Sequence, residues 1–168
     1  HKKNICLIGL MGSGKSVLGK LLSKELDLKY YDSDILVEKK INKKINQIFS
    51  EHGEIYFRKI EEKVILSLLD RKNCVICLGG GSILSSATRN ALQKNSFTIF
   101  LKVDIEILYE RLKKSKKRPL IQNVNIKEKL IHLAQEREKY YKKANLIVKN
   151  SNDIKEALII IKKRLRKN

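Results

Sequence analysis

The chain of 168 residues has no tryptophan, one proline, three cysteines and 6% aromatic residues, and sets only 18 Asp and Glu against 37 Lys and Arg. Each shortage closes off a class of protein. Three cysteines cannot build a disulfide scaffold. Cys74 and Cys77 form a C-x-x-C, but no second pair exists to complete a zinc site. They lie in Cys74-Val75-Ile76-Cys77-Leu78, which reads as a buried strand, where residues three apart point to opposite faces. All three thiols are therefore expected in the core of a protein from a reducing compartment. The scarcity of aromatic rings leaves no stacking platform for single-stranded nucleic acid. No apolar run is long enough to cross a bilayer, and none of signal-peptide type precedes the first strand, so a cytosolic protein with no membrane partner is expected. The shortage of acids gives a formal charge of +19, which on its own would suggest nucleic acid. The lysines, however, are spread over the whole chain and are dense only at 113–118 and 162–167, so nucleic acid is not expected as a partner. A basic surface still draws in small anionic substrates.

What the chain does have is regular alternation. Apolar strand-like runs fall at 5–8, 28–31, 74–78, 96–103 and 144–148. Between them helical spacing covers 16–26, 35–41, 45–52, 54–71, 86–94, 126–143 and 153–165, with a further helix from Asp104 to about Leu112. Strands that are apolar throughout and separated by helices argue for one α/β domain, a parallel sheet covered on both faces. Periodicity fails from Lys113 to Asn125, a basic stretch that holds Pro119 and reads as a mobile loop.

The first strand ends in Gly9-Leu10-Met11-Gly12-Ser13-Gly14-Lys15-Ser16, the G-x-x-x-x-G-K-[ST] spacing of a phosphate-binding loop. Glycines let successive N–H groups turn inward, and a helix opening at Lys15 adds its positive end. Lys15 can reach the β and γ phosphates, and the Ser16 hydroxyl suits Mg²⁺. Ligands in such sheets bind beyond the carboxyl ends of the strands, so this loop should share an edge with Asp32 and Asp34 and with Gly79-Gly80-Gly81. One carboxylate can hold the water shell of the metal and the other can take a hydroxyl proton. The alternative for either is a helix N-cap. Three glycines at a strand end suggest a ligand lying on bare backbone, against the alternative of a kink. Lysine greatly outnumbers arginine here, so Arg58, Arg118 and Arg137 are candidates for bidentate binding of carboxylate or phosphate, although any one alone suits a solvated surface.

Taken together, the loop, Asp32-x-Asp34, Phe57-Arg58-x-Ile60-Glu61, Gly79-Gly80-Gly81, Arg118-Pro119-Leu120 and Arg137-x-x-Tyr140-Tyr141 resemble the shikimate kinase family. That resemblance implies a P-loop fold of the nucleoside monophosphate kinase type with five parallel strands. It also implies a single kinase domain, with a substrate-binding region at about 33–61 and a lid at about 112–124. It implies transfer of the γ-phosphate of ATP to the 3-hydroxyl of shikimate by a cytoplasmic monomer. Nucleotide contacts would come from Gly12, Ser13, Gly14, Lys15, Ser16, Val17, Arg111 and Arg118, with Arg111 against the adenine and Arg118 closing with the lid. Ser16 and Asp32 would serve Mg²⁺. Asp34, Arg58, Gly79, Gly80, Gly81 and Arg137 would hold shikimate, the two arginines on its carboxylate. Lys15, Asp34 and Arg118 would carry the transfer. Two places depart from the family pattern: Val17 stands where threonine is common, and 149–152 lacks the usual arginine and proline.

Overall fold

The structure, a computed structural model, describes residues 3–115, 125–151 and 153–167. Strands β1 (Asn4–Ile8), β2 (Lys29–Asp32), β3 (Cys74–Cys77), β4 (Ser96–Lys102) and β5 (Leu146–Lys149) form one parallel sheet in the order β2-β3-β1-β4-β5. Parallel neighbours need long crossovers, and helices supply them. These are α1 (Lys15–Leu26), α2 (Ser33–Ile41), α3 (Ile45–Leu69), α4 (Ser86–Asn95), α5 (Ile105–Lys113), α6 (Ile126–Tyr141) and α7 (Ile154–Leu165).

The sheet is buried on both sides because successive strand residues feed different cores. Ile5, Leu7, Val75, Cys77, Ile99 and Leu101 pack under Leu18 and Leu22 of α1 and Ala157 and Ile161 of α7. Cys6, Ile8, Cys74, Ile76 and Phe100 face the opposite way, under Val37, Ile65, Leu92, Leu108 and Leu130 from the other helices. Cys74 and Cys77 thus point to opposite faces, and all three cysteines are buried and free.

Two local features aim the site. Helix α1 lies tight on the sheet: a Cβ on Gly19 would stand 2.5 Å from Cys77 Sγ of β3 and 3.3 Å from Leu7 Cδ1 of β1. Helix α3 is broken at Gly53 (φ 81°, ψ 174°), which turns the arm carrying Arg58 and Glu61 toward the strand ends. A feature that periodicity did not foretell is a 3-10 helix at Gly80–Leu84, formed directly out of the glycine run.

Candidate active site

The loop after β1 wraps into α1 through Gly14, whose φ of 91° is left-handed and strained for any other residue. Its residues lie at the carboxyl end of the central strand, where strand order reverses and crevices form. Lys15 Nζ donates to Gly9 O at 2.7 Å and to Leu10 O at 3.1 Å, which holds the ammonium over the loop. Ser13 is buried, and Val17 is exposed on the first turn of α1. Arg111 reaches in from α5, its guanidinium donating to Gly12 O at 2.9 Å.

Asp32 ends β2 and works in two directions. Its Oδ1 accepts from the N–H groups of Asp34 and Ile35 at 3.0 and 3.4 Å, capping α2, while its Oδ2 accepts from the Ser16 hydroxyl at 3.0 Å. The cap is thus Asp32, and Asp34 sits in the first turn of the helix. The strand stops at Asp32, and the first turn of α2 carries Asp34 round to the glycine run. A hydroxyl beside a carboxylate, at the mouth of a phosphate loop, fits Mg²⁺, which takes few protein ligands and keeps phosphates and water for the rest. Among the described residues no group of three or more His, Cys, Asp and Glu converges to hold a metal by protein alone.

Beside the loop lies a cluster of acids and guanidinium groups. Arg58 Nη1 pairs with Glu61 Oε1 at 2.8 Å, and Arg58 Nη2 with Glu54 Oε1 at 3.4 Å. Glu61 is 2% exposed, near enough to Asp34 and Arg137 to feel both charges. Burial pushes its carboxyl up to about 7, Arg58 pulls it down, and Asp34 raises it further. Arg137, on α6, is 6% exposed and lies next to Tyr141, whose hydroxyl burial pushes up to about 12. Among the described residues Arg58 Nε, Arg137 Nε and Glu61 Oε2 are buried without a hydrogen-bond partner. Buried polar groups are nearly always paired, so three orphans in one place mark where a polar ligand would bind.

The glycine run forms the floor. A Cβ on Gly79 would come within 2.6 Å of Asp34 Oδ1 and 2.8 Å of Glu61 Oε2. One on Gly80 would stand 3.2 Å from Arg137 Nη1 and 3.3 Å from Gly9 O, and one on Gly81 would meet the Arg58 guanidinium. Gly80 is therefore the meeting point of the phosphate loop and the guanidinium cluster. The floor is held rigid: Gly79 N–H donates to Ser33 Oγ at 3.0 Å, and Tyr141 OH donates to Gly80 O at 2.5 Å.

The structure brings Gly12, Ser13, Gly14, Lys15, Ser16, Asp32, Asp34, Arg58, Gly79, Gly80, Gly81 and Arg137 together at one edge of the sheet, with Arg111 behind the phosphate loop and Val17 exposed on the first turn of α1. Of the lid expected at about 112–124, Leu112 and Lys113 close helix α5, while Arg118 and the rest of 116–124 lie outside the described residues. Three contributors carried no role in the sequence reading. Glu61 stood inside a quoted motif but looked like one more helix acid. Tyr141 also stood inside a quoted motif without a role of its own, and Asn150 lay in the stretch 149–152 that departs from the family pattern, although it donates to Ser13 O at 2.8 Å.

Comparison with known proteins agrees with this geometry. The family model for shikimate kinase matches residues 11–165. A shikimate kinase of Bartonella henselae is 40% identical over 154 residues, covering 92% of this chain and 73% of the relative. One of Buchnera aphidicola subsp. Baizongia pistaciae is 41% identical over 155 residues, covering 91% and 89%. Among solved structures, the shikimate kinase from Acinetobacter baumannii in complex with shikimate superimposes with a TM-score of 0.94 at 31% identity, over 99% of this chain and 95% of that one. A gluconokinase from Sinorhizobium meliloti 1021, at 16% identity and a TM-score of 0.66, shares the fold alone. With five parallel strands in the same arrangement and a match running through nearly all of the sequence, the chain belongs to the shikimate kinase family.

Proposed function

We propose that the chain is an ATP-dependent shikimate kinase that moves the γ-phosphate of ATP onto the 3-hydroxyl of shikimate, giving shikimate 3-phosphate and ADP, in the synthesis of aromatic amino acids. The observation that carries the reading is Gly80, whose Cα faces both the phosphate loop through Gly9 O and the carboxylate-binding cluster through Arg137. A compound resting on that ledge would have its carboxylate at the guanidinium groups of Arg58 and Arg137 and a hydroxyl beside Asp34.

Phosphoryl transfer asks a protein mainly for positioning and charge neutralisation. The loop N–H groups where α1 begins and the Lys15 ammonium receive the β and γ phosphates. Val17 and Arg111 line the nucleotide side. Mg²⁺, held by the Ser16 hydroxyl and the Asp32 carboxylate, supplies charge neutralisation to the phosphates when bound. Asp34 orients the acceptor hydroxyl and takes its proton as the oxygen gains its bond to phosphorus. Gly79 and Gly81 leave the backbone bare for the ring. All of these residues come from one chain, which supports a working monomer of one domain; the cytoplasm suits its free thiols, and among the described residues no helix is long and apolar enough to cross a membrane.

A coupled assay of ADP release with shikimate, gluconate, CMP and AMP offered in turn tests the reading. Turnover is expected with shikimate alone, and turnover no higher with shikimate than in its absence would refute it.

A further inference from the structure

A phosphate loop works only if its N–H groups point inward, which turns carbonyls outward into the protein. Buried carbonyls need donors. Two here are met from outside the loop: Asn150 Nδ2 donates to Ser13 O at 2.8 Å and Arg111 Nη1 to Gly12 O at 2.9 Å. The donors are themselves fastened together. Arg111 Nη2 donates to Asn150 O at 2.9 Å and to Ser151 O at 3.2 Å, and Asn150 N–H donates to Lys102 O at 2.9 Å. The carboxyl ends of β4 and β5 and the helix α5 thus form one brace behind the loop. Asn150 is 4% exposed and Ser13 1%, so water cannot replace the bond. The amide also lies against Gly14, where a Cβ would stand 2.5 Å from Nδ2.

We infer that Asn150 is a positioning residue of the nucleotide cradle: its side-chain amide fixes the Ser13 carbonyl and so sets the direction of the N–H groups that receive phosphate. It touches no substrate and acts through the loop. The inference rests on the P-loop reading and is independent of which acceptor is phosphorylated.

Three variants of the whole chain test it. Asn150→Leu keeps the size and removes the donor, Asn150→Asp keeps the shape and sets an acceptor against the Ser13 carbonyl, and Asn150→Ser leaves a short hydroxyl. ADP affinity by titration without acceptor is measured beside KM for ATP, KM for shikimate and Tm. The Leu and Asp variants are expected to weaken ADP and raise KM for ATP about tenfold, as the loss of one buried hydrogen bond implies, with KM for shikimate within about twofold and the Ser variant intermediate. Folded variants that bind ADP as the parent does would overturn the inference, as would equal losses for both substrates, which signal general loosening. Should the Leu and Asp variants fail to fold, the Ser variant decides by the same split. A parent chain that binds ADP yet leaves shikimate untouched would remove the proposed reaction and leave this inference standing.

Discussion

Glu61 sits in an environment far from its chemistry: an acid 2% exposed, paired with Arg58 on one oxygen and unpartnered on the other. Burial pushes its carboxyl up to about 7, so the folded chain holds that proton more tightly than the unfolded chain does. Its contribution to stability is then fully present below the unfolded value of about 4.3 and is lost as pH rises through about 7. Between pH 4.5 and 7.5 the parent is expected to lose about 3 kcal/mol more unfolding free energy than Glu61→Gln, with no further divergence above that window. Denaturant titrations over pH check this, and parallel profiles would show that Glu61 titrates as an ordinary acid. Arg137 makes a different kind of claim. Buried beside Tyr141 with Nε unpartnered, it is placed to hold a carboxylate. Arg137→Ala is expected to weaken shikimate binding by about 30-fold or more, the scale of a lost charge-assisted pair, and to leave ADP affinity within about threefold. Separate titrations showing the reverse would mean the residue serves the nucleotide.

At the scale of elements, the glycine run and the helix arm at Arg58 fit together because neither leaves spare room. Gly79 has φ −55°, a conformation open to any residue, so what bars a side chain there is space. Gly79→Ala would push a methyl toward Asp34 Oδ1 and Glu61 Oε2, and is expected to cost about 1–3 kcal/mol of stability, as overpacking does, together with affinity for shikimate. Thermal unfolding and a shikimate titration check this; an unchanged Tm and affinity would show that the floor is softer than it looks. Strands and helices were legible in the sequence because their apolar spacing is dictated by burial, and Gly53 was legible as a break because periodicity restarts after it. The 3-10 turn at Gly80–Leu84 was not, since two glycines and a serine carry no period. Glu61 was hidden for a related reason: a helix acid is usually solvated, and only the fold shows that this one faces inward. Asn150 was hidden because a lone polar residue after a strand matches ordinary turn chemistry, and its partner lies 137 positions away.

For the molecule as a whole, the candidate site gathers at the carboxyl edge of one sheet. The ends of β1, β2 and β3 deliver the phosphate loop, the Asp32–Asp34 turn and the glycine floor, while α3 and α6 bring the guanidinium groups from the side. The net charge of +19 gives the molecule a field that draws in small anionic substrates. The most direct test is a crystal structure of the chain with ADP, Mg²⁺ and shikimate bound together. The shikimate carboxylate is expected within hydrogen-bond reach, about 3 Å, of Arg58 and Arg137, and its 3-hydroxyl at Asp34 on the side facing the β-phosphate of ADP. Shikimate bound away from the Gly79–Gly81 floor, or with its carboxylate toward Lys15, would contradict this placement.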